Sequence, residues 1–172
     1  MDIVHTAAQL MELSARTAPK SRGEDFISTR IISAEKLEQL AGEMDRIGRE
    51  TGRKDFDRDA RSIRYSGAVL LIGLKDAKEV GLNCGACGYD TCEECAAHRK
   101  RHREFVGPIC ALRHLDMGIA LGSAAKTASL LNVDSRVMYR AALAALNLGW
   151  VDWDFLMAIP ISATGKSVFF DR

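Results

Sequence analysis

All five cysteines fall between positions 84 and 110: Asn83-Cys84-Gly85-Ala86-Cys87-Gly88-Tyr89-Asp90-Thr91-Cys92, then Cys95, then Gly107-Pro108-Ile109-Cys110. Disulfides would tie distant segments together, whereas clustered thiols in a reducing compartment point to a metal or redox site. Cys84, Cys87 and Cys92 are spaced C-x2-C-x4-C, and Cys110 follows 18 positions after Cys92. A cubane iron–sulfur cluster needs four converging thiolates. A loop can supply three of them if its backbone curls around the sulfurs, and Gly85 and Gly88 permit the positive φ this requires and bring amide N–H groups within reach. A fourth ligand from a separate segment closes the cage, with Pro108 stiffening its approach. Cys95 reads either as a small buried hydrophobe or as a replacement for Cys110. Structural zinc is the competing chemistry, although zinc ribbons separate their C-x2-C pairs by about 15 residues, and only four lie between Cys87 and Cys92.

The cysteines also bracket a basic run, His98-Arg99-Lys100-Arg101-His102-Arg103. Such a run is ordinarily a solvated helix face. Beside an oxidised four-thiolate cluster of net charge about −2, it would also raise the potential and guide an acidic redox partner protein. Nucleic-acid binding is not expected, because no aromatic residues interleave with the charges.

Composition sets the frame for this site. With 172 residues, 47% hydrophobic and 27% charged, the chain has the makeup of one folded domain with room for an insert. Its 24 basic and 23 acidic residues leave a net charge of +1, so no global field attracts nucleic acid or anionic lipid. The longest strongly apolar run, Ala68-Val69-Leu70-Leu71-Ile72, is too short to span a bilayer. The opening residues lack the basic and apolar regions of a secretory signal, so a cytoplasmic location is expected.

Periodicity predicts the elements that must position the cysteines. Residues 3 to about 16 form an amphipathic helix on Val4, Ala7, Ala8 and Met11, ended at Pro19. Residues 25–32 form a strand. Ser33 caps a helix striped by Leu37, Leu40, Met44 and Ile47, weakened at Gly48 and Gly52. Residues 53–66 are charged and ambiguous. Residues 67–74 form a strand buried on both faces. A long helix runs from about 111 to 131. Asp134 or Ser135 caps another, striped by Val137, Ala141, Ala144, Ala145 and Leu148 and stopped by Gly149. Residues 155–161 form a third strand, and 167–170 a short edge strand. The expected class is α+β, with a body of residues 1–75 and 111–172 and an inserted iron–sulfur cysteine loop at 76–110.

The cysteine stretch resembles the small [4Fe-4S] domain of B-type electron-transport proteins and corrinoid iron–sulfur proteins, whose pattern is N-C-G-x-C-G-x-x-x-C with a distant fourth cysteine. That resemblance implies Cys84, Cys87, Cys92 and Cys110 as ligands. Taken whole, the chain resembles the uncharacterised ferredoxin domain-containing proteins. The residues that carry this are Ala15-Arg16-Thr17-Ala18-Pro19-Lys20, the cysteine loop, Asp116-Met117-Gly118-Ile119-Ala120-Leu121-Gly122-Ser123-Ala124 and the end, 161–172. It implies an electron-transfer protein of ferredoxin type.

Outside the loop, the order of elements is similar to that of FMN-dependent nitroreductases, homodimers built on a long interface helix. This implies a nitroreductase-like mixed sheet flanked by helices, and a second reading as an FMN-dependent reductase fed by the cluster. Arg16, Lys20 and Arg22, helped by Lys166 or Arg172, would then lie near the flavin phosphate, where basic side chains form charge-assisted hydrogen bonds. The arginine-rich opening motif of those enzymes is missing here. Exposed basic side chains at a turn and a tail are the plainer reading. Gly118 and Gly122, four apart on one helix with Ser123, Ala124 and Ala125 beside them, suit either core packing or a homodimer seam. Gly165-Lys166-Ser167 is no P-loop, because Pro160 stands where the first glycine belongs.

Overall fold

The computed structural model describes residues 2–170. It contains the helices α1 (Ile3–Thr17), α2 (Leu37–Thr51), α3 (Phe56–Arg64), α4 (Cys92–Ala97), α5 (Ala111–Leu130) and α6 (Tyr139–Asn147). The strands are β1 (Ile27–Ser33), β2 (Ala68–Leu74), β3 (Lys100–Arg101), β4 (Val106–Gly107), β5 (Asp134–Ser135) and β6 (Phe155–Ser162). Four strands form one sheet in the order β1-β2-β6-β5, with every pairing antiparallel. β3 and β4 form a separate hairpin. Among the described residues no helix is long and apolar enough to cross a membrane.

β2 explains why its seven residues are continuously apolar. Alternate side chains of a strand point to opposite faces, and here each face is covered. Val69 and Leu71 pack with α2, α3 and α6. Ala68, Leu70, Ile72 and Leu74 pack with α1 and α5. All seven are buried, each large one contributing about 1.5–3 kcal/mol. The register places Ile27, Leu74 and Phe155 at one end of the sheet, and Ser33, Ala68 and Ile161 at the other. The ends are about 20 Å apart, at about 3.4 Å per residue.

Several local expectations are corrected. Ser33 does not cap α2: its hydroxyl donates to the Glu35 carboxylate, and a short 3-10 turn, Ala34–Lys36, precedes the helix. Gly48 does not weaken α2, which runs on to Thr51. A Cβ at Gly48 would stand 2.8 Å from the Phe56 Cβ, so the glycine admits α3. The ambiguous stretch contains α3 itself. Asp134 and Ser135 pair with Ser162 and Ile161 instead of capping a helix, which begins only at Tyr139. Val137 is accordingly exposed. Residues 168–170 form bends and Ser167 is irregular, so no strand forms over 167–170. They are held by the Val168 N–H donating to Asp134 Oδ2 (3.0 Å) and by burial of Phe169.

Candidate metal centre

The cysteine segment leaves the sheet after Leu74 and returns at α5, so it sits at the Leu74 end. Its first residues are held by body side chains: Arg113 Nε donates to the Lys78 carbonyl (2.8 Å) and Arg22 Nη1 to the Val80 carbonyl (2.9 Å). Asn83 has a φ of 47°, and its Oδ1 accepts from the Cys92 N–H at 2.8 Å. Between these residues the Gly88 N–H donates to the Gly85 carbonyl (2.9 Å), with φ of 71° at Gly85 and 89° at Gly88. Those angles are left-handed, where a side chain is penalised. Thr91 then caps α4, its hydroxyl accepting from the Glu94 N–H (3.1 Å). Cys92 is the first residue of this short helix.

Cys84, Cys87, Cys92 and Cys110 line one small cavity, together with Glu79 and Tyr89. Cys84 is exposed, Cys87 and Cys92 are half-buried, and Cys110, at the N-cap of α5, is buried. Cys95 is fully buried and does not line the cavity. Burial pushes its thiol up to about 12, reinforced by a hydrogen bond with Cys87. The four cysteines on the cavity wall carry thiols, which become thiolates on metal binding, and the positive φ at Gly85 and Gly88 curls the stretch that carries Cys84 and Cys87. The donor set is therefore of the kind an iron–sulfur cluster takes. Among the described residues no three His, Cys, Asp or Glu side chains are grouped so as to hold a single metal ion.

The basic run is not a helix face. Lys100 and Arg101 lie in the β3–β4 hairpin, and residues 100–103 are exposed. Arg99 turns inward instead. Its Nε donates to the Pro108 carbonyl (3.4 Å) and its Nη2 lies 3.7 Å from Glu79 Oε1, atoms that both lack a hydrogen-bond partner. This ion pair stands beside the cavity.

The basic residues tied to flavin by resemblance fall into two places. Arg16 donates to the Ile27 carbonyl and pairs with Asp25 (2.6 Å). Lys20 Nζ donates to the carbonyls of Arg16 (2.6 Å) and Ala18 (2.9 Å). With Arg22 they lie at the Leu74 end, beside the start of the cysteine loop. Lys166 follows β6 at the opposite end, where it lines a cavity of about 640 Å³ with Arg58, Arg61, Ser62, Tyr65 and Phe169. One chain therefore does not bring Lys166 to the other three. Arg172 lies outside the described residues.

Arg58 and Arg61 escaped the sequence reading. Their signal was present: positions 58, 61, 62 and 65 share one helical face, within a stretch whose charges masked the period. Arg113 was also missed, because arginines are ordinarily solvated.

Comparison with known proteins places the chain further. Residues 106–172 match the family described as uncharacterized proteins containing a ferredoxin domain, a segment that includes Cys110. An uncharacterized protein from Archaeoglobus fulgidus is 50% identical over 169 residues, covering 98% of this chain and 91% of that protein. Among solved structures, the chain is similar to the FMN-dependent nitroreductase NfnB from Mycobacterium smegmatis in complex with NADPH. The TM-score is 0.61 at 12% identity, over 95% of this chain and 80% of that one. A nitroreductase with bound FMN from Desulfitobacterium hafniense gives 0.58 at 12% identity, over 96% and 79%. At such identities the likeness is one of fold: the chain has a nitroreductase-like α+β architecture.

Proposed function

This chain belongs to the family of uncharacterized proteins containing a ferredoxin domain, and from that premise we propose that it is a redox protein whose Cys84, Cys87, Cys92 and Cys110 hold one [4Fe-4S] cluster. The observation that supports this reading is the shared cavity: a buried thiol at the start of α5 and three from a distant loop line the same small space. The cluster would supply one-electron transfer. The protein's own contribution is to fix the thiols, offer loop amides to the sulfurs and set the local charge.

Its partner in this reading is another redox protein, met in the cytoplasm where thiols stay reduced. Exposed Lys100, Arg101 and Arg103 offer an acidic partner a docking charge. Treatment with dithionite under anaerobic conditions tests the redox role. Bleaching of the visible absorption supports it, whereas an unchanged spectrum would leave a purely structural metal, zinc included.

One observation favours the second reading, an FMN-dependent reductase. The cavity of about 640 Å³ with Arg58, Arg61 and Lys166 on its wall has the size and charge for a phosphate-bearing aromatic cofactor. It lies at the far end of the sheet from the cysteines, beyond direct reach within one chain. α5 runs from the cysteine end to the cavity end, and Leu115, Ile119 and Leu130 on it are exposed, as are Leu10 and Leu13 on α1. A homodimer packed antiparallel along α5 would bring the Arg16, Lys20 and Arg22 turn and the cysteine loop of one copy to the Ile161 end of the other, the end of the sheet at which the cavity lies. FMN would then lie between the copies.

A further inference from the structure

Arg113 has no exposed surface, and a buried guanidinium is tolerated only where its donors are satisfied. Its Nε donates to the Lys78 carbonyl (2.8 Å), and its Nη1 to the Ser21 carbonyl (3.0 Å) and Asp116 Oδ2 (3.2 Å). Its Nη2 pairs with the Glu24 carboxylate. The guanidinium carbon lies 4.7 Å from the centre of the Phe26 ring. Asp116 in turn accepts from both the backbone N–H and the hydroxyl of Ser21, each at 2.8 Å.

These contacts join three segments far apart in the chain. The first is the turn at residues 21–24. The second is the start of the cysteine loop, where Lys78 precedes Glu79 on the cavity wall. The third is the first turn of α5, whose N-cap is Cys110 and where the Arg113 N–H donates to the Cys110 carbonyl (2.9 Å). The cavity thus has one wall from the loop and one from α5, and Arg113 is bonded to the backbone on both sides.

We infer that Arg113 is the positioning residue that holds Cys110 in register with Cys84, Cys87 and Cys92. The inference rests on the reading that these four thiols share one cluster. Lysine cannot take over the role: its ammonium donates from a single point, whereas the arginine fork reaches acceptors on separate segments. Without the fork, α5 and the loop lose their common anchor, and Cys110 moves away from the other three. Three thiolates then remain in place, enough for a three-iron cluster but not a four-iron one.

The test compares the unaltered protein with Arg113→Lys, Arg113→Met and Glu24→Ala, all purified anaerobically. Iron and sulfide are counted per chain, EPR spectra are taken after oxidation, and far-UV circular dichroism monitors the fold. The unaltered protein is expected to carry about four irons and to be EPR-silent when oxidised. The Arg113 variants are expected to keep the fold yet show the near-isotropic signal of an oxidised three-iron cluster. A folded Arg113→Lys with four irons, no such signal and an unchanged reduction potential overturns the inference. If both Arg113 variants fail to fold, Glu24→Ala decides, since the Glu24 side chain is 48% exposed and its loss leaves the core intact. A shifted potential or a partial three-iron signal then supports the inference, and an unchanged spectrum and potential overturn it. Absence of iron and sulfide from the unaltered protein would instead overturn the cluster reading itself.

Discussion

The side-chain carbonyl of Asn83 accepts a hydrogen bond from the backbone N–H of Cys92 at 2.8 Å, closing the loop that carries Cys84 and Cys87. Asn83 holds a φ of 47°, a conformation that asparagine tolerates better than most residues. Asn83→Leu removes the acceptor and adds strain, a combined loss of about 1–2 kcal/mol. Iron release to a chelator should therefore accelerate by about fivefold or more in this variant, followed as loss of visible absorption.

Cys87 and Cys95 are neighbours with opposite expected roles. Cys87→Ser should abolish the cluster, measured as iron and sulfide per chain, while Cys95→Ser should leave it intact. Cys95 is fully buried and its thiol is pushed up to about 12, so it stays protonated until the pH approaches that value. Alkylation of the metal-free chain at about pH 8 should thus modify exposed Cys84 and spare Cys95. Loss of iron in Cys95→Ser alone would reassign the fourth ligand.

Spacing alone left Cys110 and Cys95 as rival fourth ligands, because the choice depends on where α5 begins relative to the loop. That relation is tertiary: Arg113, in the first turn of α5, bonds to the carbonyls of Lys78 and Ser21, both far away in the chain. The strand pattern of β2 was legible because both of its faces are buried, so burial wrote itself into every residue. The edge pairing of Asp134 and Ser135 was not, since two residues carry no periodicity and the same types cap helices. Arg99 and Arg113 were hidden for another reason: charge predicts exposure, and both turn inward to meet carbonyls and carboxylates that only the folded chain brings near.

Arg61 lies on the cavity wall beside Lys166. Under the flavin reading, Arg61→Ala removes a charge-assisted contact of about 1.5–3 kcal/mol. FMN affinity, titrated by quenching of flavin fluorescence, should fall by about tenfold or more. An unchanged affinity would remove this cavity from the flavin reading.

A Cβ at Gly118 meets nothing within 4 Å in the single chain. Gly118→Glu should therefore not lower the stability of a monomer, and helix propensity favours it by up to about 1 kcal/mol. Across an antiparallel α5 seam the same side chain would collide with its copy. Sedimentation should then show dimers for the unaltered protein and monomers for the variant.

By contrast, Gly48→Ala probes the body without touching the cysteines. Its new methyl would stand 2.8 Å from the Phe56 Cβ, and such overpacking costs about 1–3 kcal/mol. Thermal unfolding should shift downward, while the iron content per folded chain stays constant.

The [4Fe-4S] cluster is tested most directly by the content of iron, acid-labile sulfide, zinc and flavin per chain, in protein purified anaerobically without reconstitution. Four thiols around one cavity predict iron and sulfide at about four each, with the flavin value separating an electron carrier from a flavoenzyme. Zinc at about one per chain with no sulfide would contradict an iron–sulfur cluster and leave the loop a structural metal site.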